Sequence, residues 1–115
     1  VEGMKEEYIR PQSMGERTDT RWLTLTNEKG KGVKIMAAFN NTFDFAVQHY
    51  SDRELWQTKY LHQLSGIRHA ESILHLDCAS RGIGNGSCGP GPLQKYEIGG
   101  AAQEYTFMIM PSDTK

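Results

Sequence analysis

Apolar and polar residues alternate along much of the first half of the chain, and this pattern predicts short β-strands. Residues 17–26 alternate between two sides, and residues 33–39 alternate again after a turn at 27–32. A period of two is typical of a half-buried strand. The glycine-containing turn favours pairing of these two segments as a hairpin. A third strand is predicted where the alternation continues through Phe43, Phe45 and Val47.

A short helix interrupts the strand pattern in the middle of the chain. Ser51 followed by Glu54 has the form of a capping box, in which each side chain accepts a hydrogen bond from the other residue's backbone N–H. Asp52 adds negative charge at the end of the helix where the dipole favours it. We therefore predict a helix over about 52–58 and expect Trp56 to anchor it on a sheet.

The second half of the chain predicts three more strands. Residues 60–64 and 72–77 are the first two, and residues 104–110 form the last, which is apolar on both faces and ends at Pro111. Apolar residues on both faces are typical of a strand that is covered on both sides. Short strands at intervals near ten residues predict an all-β fold in one domain, residues 1–115, built as an antiparallel two-layer β-sandwich with one short helix.

Charge and hydropathy exclude two classes of partner. The 115 residues carry 13 Lys and Arg against 14 Asp and Glu, so the formal net charge is -1 and no basic surface for nucleic acid is expected. The longest uncharged apolar run, residues 35–39, is far shorter than the roughly 20 residues that span a bilayer. We expect neither nucleic acid nor membrane to be a partner.

A glycine-rich loop follows the strand predicted at 72–77. Five of the sixteen residues in 77–92 are glycine, and Pro90 and Pro92 restrict the backbone, so the segment is interpreted as a shaped binding loop. It is no phosphate-binding loop, because the third glycine of that motif is missing and prolines follow instead of a helix. Cys78 and Cys88 are ten positions apart, which leaves a disulfide between them open, and their spacing predicts no zinc site.

Two segments of this sequence together match a known family. The first runs through Arg10, Pro11, Gln12, Gly15, Arg17, Asp19 and Arg21, and the second through Asp77, Gly82, Ile83, Gly84 and Ser87. With these residues the chain resembles the C-terminal domain of the large β-galactosidases of glycoside hydrolase family 2. The similarity covers nearly the whole chain, although Ser13-Met14 stands where the family commonly has Glu-Asn.

The resemblance implies a fold and a parent activity. It implies part of the large sandwich related to the galactose mutarotase fold, in a parent enzyme that hydrolyses terminal β-galactosides. The catalytic glutamates of that family belong to a separate barrel domain that these residues do not match, so the chain is expected to be inactive alone. The parent is expected to be a homo-oligomer that uses Mg²⁺ and Na⁺, with no cofactor in this chain. The compartment stays open between bacterial cytoplasm and periplasm.

The resemblance also implies a role for the loop. In family members of the enterobacterial type this loop reaches the mouth of the barrel and carries a tryptophan that stacks on the sugar; Cys88 takes that place here. The residues expected at the rim of the substrate pocket are Arg81, Gly82, Gly84, Asn85, Ser87 and Cys88, and the first segment with Asp77 is expected to support them. The alternative is an autonomous carbohydrate-binding module, for which Trp56 and Tyr96 would supply sugar-stacking rings.

Overall fold

The structure is a computed structural model that describes residues 1–86 and 88–113. Within those ranges six strands form two three-stranded antiparallel sheets, with strand orders β1-β4-β5 and β2-β3-β6. The strands are β1 Arg17–Thr20, β2 Trp22–Thr26, β3 Lys31–Ala37, β4 Phe43–Gln48, β5 Ile73–Asp77 and β6 Phe107–Asp113. Helix α1 is Asp52–Gln57, and short 3-10 helices lie at Glu2–Met4, Leu61–Ile67 and Gln94–Tyr96. The prediction of an all-β fold of the antiparallel sandwich class with one short α-helix is confirmed.

The hairpin predicted in the first half of the chain is the β2–β3 pair. Trp22 lies opposite Met36 and Thr26 lies opposite Gly32 in an antiparallel register. Asn27 closes the turn, because its Oδ1 accepts hydrogen bonds from the backbone N–H groups of Lys29 and Lys31 at 2.9 and 3.1 Å. An asparagine that bonds its own turn in this way is a common turn signal.

The strand predicted over 17–26 is in fact two strands in different sheets. β1 ends at Thr20 and β2 begins at Trp22. Asp19 has a positive φ of 53°, which breaks the regular extended backbone within β1. Aspartate adopts this conformation more readily than most residues, so the alternating pattern alone did not reveal the break. Trp22, which we expect to pack either in the core or against another domain, has a side chain that is 57% exposed and so lies outside the core of this chain.

The last strand is shifted relative to its prediction of 104–110. It begins at Phe107 and continues through Pro111 to Asp113. Pro111 is accommodated because β6 is an edge strand, where a residue without an N–H need not bond a second neighbour. The prediction that both faces of this strand are covered is wrong, since Met108 and Ile109 are 47% and 61% exposed.

The prediction of a strand at residues 60–64 is wrong. These residues lie in and beside the 3-10 helix Leu61–Ile67. Leu61 and Leu64 are three positions apart and therefore face the same way on such a helix. Leu64 is buried in a core cluster and Leu61 packs against it. The side chain of Gln63 accepts a hydrogen bond from the backbone N–H of Tyr60 at 3.2 Å, which fixes the first turn.

Helix α1 confirms the predicted capping box. Ser51 Oγ accepts from the backbone N–H of Glu54 at 3.3 Å, and Glu54 Oε2 accepts from the backbone N–H of Ser51 at 2.8 Å. The residue that anchors the helix is Leu55, which is 1% exposed, whereas Trp56 is 79% exposed. The expected anchoring role of Trp56 is therefore wrong, because adjacent helical residues point in different directions and Leu55 takes the inward one.

The described residues divide into two compact units. The first unit comprises residues 1–17 and 45–76, and its core cluster consists of Met14, Tyr50, Leu55 and Leu64. The second unit comprises residues 18–44 and those from 77 onward, and it contains the β2-β3-β6 sheet and the glycine-rich loop. No helix within the described ranges is long and apolar enough to cross a bilayer.

Candidate functional site

The start of the glycine-rich loop is tied to a carboxylate that sequence reasoning missed. Asp44 Oδ2 accepts a hydrogen bond from Ser80 Oγ at 2.6 Å, and Asp44 Oδ1 accepts one from the backbone N–H of Asp19 at 3.0 Å. Asp44 thus joins the bent part of β1 to the loop. No local signal marks Asp44, because in an alternating strand it lies on the face opposite Phe43 and Phe45, where a polar residue is ordinary.

An ion pair holds the two ends of the loop together. Arg81 Nε and Nη2 donate to the two carboxylate oxygens of Glu97 at 2.6 and 2.8 Å. These hydrogen bonds and the charge of Arg81 lower the pKa of the Glu97 carboxyl, and the same contact raises the pKa of Arg81. Parallel two-point contacts of this kind fix the relative orientation of both groups. Glu97 was not among the predicted site residues, because nothing in its immediate sequence marks it.

Two glycines are required by close approach of the backbone. The N–H of Gly82 donates to the Tyr96 carbonyl at 2.9 Å, and a Cβ at Gly82 would lie 2.8 Å from Tyr96 Cβ. Gly84 has a positive φ of 62°, and a Cβ there would lie 2.5 Å from the backbone nitrogen of Pro92. Both positions therefore favour glycine over any residue with a side chain.

The tip of the loop is a hydrogen-bonded turn. The N–H of Asn85 donates to the Pro90 carbonyl at 2.9 Å, and the N–H of Cys88 donates to the Asn85 carbonyl at 3.0 Å. The side chains of Asn85 and Cys88 are exposed. Ser87, the remaining predicted rim residue, lies outside the described residues. Cys78 and Cys88 are not joined in a disulfide, and the thiol of Cys78 donates to Gln103 Oε1 at 3.1 Å.

The loop presents an apolar, open groove to solvent. Its walls include Ile83, Pro92, Leu93 and Tyr96. The exposed fractions are 92% for Ile83, 66% for Leu93 and 52% for Tyr96. Apolar side chains clustered on an exposed loop mark a surface that another molecule or domain can cover. We call these residues the loop groove.

The surroundings of the other predicted residues indicate roles in maintaining the fold. Of the first segment, Pro11 and Gly15 are buried in the first unit, while Arg10 and Gln12 are exposed there. Gly15 has a positive φ of 72°, and a Cβ would lie 2.1 Å from the Met4 carbonyl oxygen. Arg17 Nη1 donates to the Glu16 carbonyl, the Arg21 carbonyl accepts from the Ala37 N–H, and Asp77 is the last residue of β5.

The carboxyl group of Glu97 has the surroundings of an ion-pair partner. Glycoside hydrolysis requires two carboxyl groups on either side of the scissile bond, one of them able to donate a proton. Glu97 accepts both hydrogen bonds from Arg81 and its pKa is lowered, so it stays ionised and is a poor proton donor. Among residues 1–86 and 88–113 no group of three or more His, Cys, Asp or Glu side chains could hold a metal ion.

Comparison with known proteins identifies the family. Residues 1–110 match the family model described as β-galactosidase small chain. A β-galactosidase of Staphylococcus xylosus is 30% identical over 104 residues, which are 90% of this chain and 10% of that protein. A β-galactosidase of an Arthrobacter species is 30% identical over 93 residues, 78% of this chain and 9% of that protein. The chain thus spans about a tenth of the length of these relatives, and it belongs to the β-galactosidase small-chain family.

Proposed function

We propose that the chain is the C-terminal sandwich portion of a β-galactosidase of glycoside hydrolase family 2, whose parent enzyme hydrolyses terminal β-galactosides. The observations that carry the proposal are the family match over residues 1–110 and the similarity to a protein named β-galactosidase, of which this chain spans about a tenth. The two catalytic glutamates, the barrel that holds them, and the Mg²⁺ and Na⁺ ions belong to the remainder of the parent. The chain belongs to the galactose mutarotase-like group of sandwiches, and the parent is a homo-oligomer.

We further propose that residues 81–88 pack on the catalytic barrel and shape the rim of its galactoside pocket. The support is the combination of contacts within the loop and an exposed apolar groove. Hydrogen bonds from Arg81 to Glu97 and from Gly82 to Tyr96 hold the loop within this chain itself. A loop held by such contacts loses less conformational entropy when it meets a partner domain or a substrate than a loop without them.

The contact with the sugar is polar in this proposal. Cys88 stands where the resemblance places a tryptophan, and a thiol offers no ring face for a pyranose to stack on. Asn85 has an exposed side-chain amide that supplies one acceptor and two donor hydrogens. The loop would thus contribute hydroxyl recognition and steric limits, while the barrel supplies the chemistry.

Turnover of a nitrophenyl β-galactoside tests the proposal. The pure 115-residue chain should show no turnover, while the complete polypeptide that carries it should be active. Measurable hydrolysis by the chain alone, abolished by a substitution within it, would contradict the proposal. An inactive complete polypeptide would also contradict it.

The second candidate function is an autonomous carbohydrate-binding module. The observation that favours it is the exposure of Trp56, at 79%, because exposed rings are the usual platforms for sugar binding. Calorimetric titration of the chain with galactose, lactose and galactan fragments separates the two functions. An affinity tighter than about 1 mM that is lost in Trp56→Ala would favour the carbohydrate-binding module. Absence of binding would favour the role of the loop at the rim of the substrate pocket.

A further inference from the structure

One carboxylate connects the two segments that match the family. Asp44 Oδ1 accepts a hydrogen bond from the backbone N–H of Asp19 at 3.0 Å, and Asp44 Oδ2 accepts one from Ser80 Oγ at 2.6 Å. Asp19 belongs to the first segment, and Ser80 lies between Asp77 and Gly82 of the second. Each oxygen of Asp44 therefore holds a different segment, although Asp44 itself belongs to neither.

The bond to Ser80 has the geometry of a strong hydrogen bond. Its O···O distance of 2.6 Å is typical of a hydroxyl that donates to an ionised carboxylate, and such bonds are about twice as strong as bonds between neutral groups. Asp44 and Ser80 are both half-buried, so water competes less for this bond than on the open surface. Ser80 directly precedes Arg81, whose guanidinium bonds to Glu97. The start of the loop is thus held at two adjacent residues.

Asp19 contributes its backbone to this connection. Its φ of 53° is in the left-handed region, which aspartate, asparagine and glycine adopt more readily than other residues. The side chain of Asp19 is exposed, and within residues 1–86 and 88–113 it makes no hydrogen bond or ion pair. The contact that Asp19 makes with Asp44 therefore needs the backbone conformation and the N–H of this position, and not its carboxylate.

We propose that Asp44 is a positioning residue for substrate binding. Its carboxylate sets the place of loop residues 81–88 relative to β1, and Asp19 serves through its backbone N–H alone. This inference rests on the proposed function, in which residues 81–88 form the rim of the galactoside pocket. Asp44 acts on the substrate only through the loop, so its loss weakens substrate binding and leaves the chemical step in the barrel unchanged.

Hydrogen exchange of the complete polypeptide, measured by mass spectrometry, tests the positioning without reference to activity. Asp44→Ala removes both acceptors, so proteolytic peptides that contain Asp19 and those that contain Ser80 should both exchange about three- to tenfold faster. Ser80→Ala should speed exchange in the loop peptides only. Glu28→Ala, on the exposed turn between β2 and β3, is the control and should change neither. Unchanged exchange in Asp44→Ala would overturn the proposal.

Asp19→Gly tests the role assigned to the backbone of that residue. Glycine adopts a positive φ readily and retains the N–H, so exchange in the peptides that contain Ser80 should stay as in the native protein. Loop exchange in Asp19→Gly that is as fast as in Asp44→Ala would overturn the assignment of Asp19 to its backbone alone. Circular dichroism checks that each variant folds.

Steady-state kinetics with a nitrophenyl β-galactoside separate positioning from a general role in the fold. Asp44→Ala in the complete polypeptide should raise KM about three- to tenfold and keep kcat within about twofold. Asp44→Asn should bring KM back to within about twofold of the native value, because an amide can accept from the Asp19 N–H and donate to Ser80 Oγ.

The two measurements distinguish failure of this inference from failure of the proposed function. An inactive complete polypeptide would contradict the proposed function, while hydrogen exchange would still decide whether Asp44 holds the loop. A native KM in a folded Asp44→Ala variant, or a lower kcat at unchanged KM, would overturn the role of Asp44 in substrate binding.

Discussion

Arg81 and Glu97 form a two-point ion pair that joins the beginning of the glycine-rich loop to the segment after its 3-10 helix, with N···O distances of 2.6 and 2.8 Å. Between these residues the chain makes its turn at Asn85 and passes back beside Gly82. The pair is on the surface, so its energy is small, but its geometry defines the position of the loop.

Replacement of Arg81 by lysine should therefore change substrate binding more than chemistry. Lysine keeps the charge and loses the two parallel hydrogen bonds to Glu97. In the complete polypeptide we expect the KM for a nitrophenyl β-galactoside to rise about two- to fivefold with kcat nearly unchanged. Steady-state kinetics measure this, with Arg53→Lys on helix α1 as the control. A kcat that falls in proportion to kcat/KM would instead implicate Arg81 in the transition state.

Gly84→Ala should loosen the loop, while Gly86→Ala should not. Gly84 has a positive φ and would direct a Cβ against Pro92, whereas a Cβ at Gly86 would meet nothing within 4 Å. The strain is expected to be about 1–3 kcal/mol, released by local opening. Amide hydrogen exchange should show faster exchange at Asn85 and Gly82 in the Gly84 variant only. Identical exchange in both variants would show that the backbone at Gly84 is not restrained as described.

Leu55→Ala should destabilise the chain strongly and Trp56→Ala hardly at all. Leu55 is 1% exposed and belongs to the core cluster, so its truncation should cost about 2–5 kcal/mol. Trp56 is 79% exposed, and its replacement should change the free energy of unfolding by less than about 0.5 kcal/mol. Urea denaturation measures both. A large decrease in the free energy of unfolding for Trp56→Ala would show that this ring is packed and not exposed.

The capping box should make stability depend on acid pH. Hydrogen bonds from Ser51, first from its backbone and then from its side chain, together with His69, lower the pKa of Glu54 from 4.5 to about 2. Because the folded pKa is depressed, the stabilisation is complete above about pH 4.5 and is lost as the pH falls towards 2. The difference in urea midpoint between the native chain and Glu54→Gln should therefore be largest above pH 5 and shrink towards pH 2. The exposed turn variant Glu28→Gln is the control, and a difference that does not vary with pH would refute the mechanism.

Local sequence signals predicted the elements whose residues interact with near neighbours. Ser51 with Glu54 gave the helix start, and alternation with a glycine turn gave the β2–β3 hairpin. The signals failed where a single residue changes the backbone or where burial is decided elsewhere in the fold. One apparent strand divides at Arg21, close to the positive φ of Asp19. Leu61 and Leu64 pack a 3-10 helix into the core, although its sequence resembles that of a strand.

The same limit applies to the candidate site. The importance of the loop glycines could be recognised from the sequence, because glycine is the residue that close backbone contacts require. The structure has such contacts at Gly82 and Gly84. Asp44 and Glu97 were missed, since each acts through a partner 36 or 16 positions away in sequence. Such pairs depend on tertiary structure and leave no local pattern.

Alkylation of Cys88 in the complete polypeptide tests the rim role most directly. Cys88 is exposed at the loop tip, and Cys78, also exposed, serves as the internal control. Iodoacetamide labelling, followed by mass spectrometry with and without a non-hydrolysable thiogalactoside, measures both rates. If residues 81–88 line the galactoside pocket, the ligand slows modification of Cys88 several-fold and leaves Cys78 unchanged. Equal rates at Cys88 with and without the ligand, at a concentration that inhibits turnover, would contradict the proposed position of the loop.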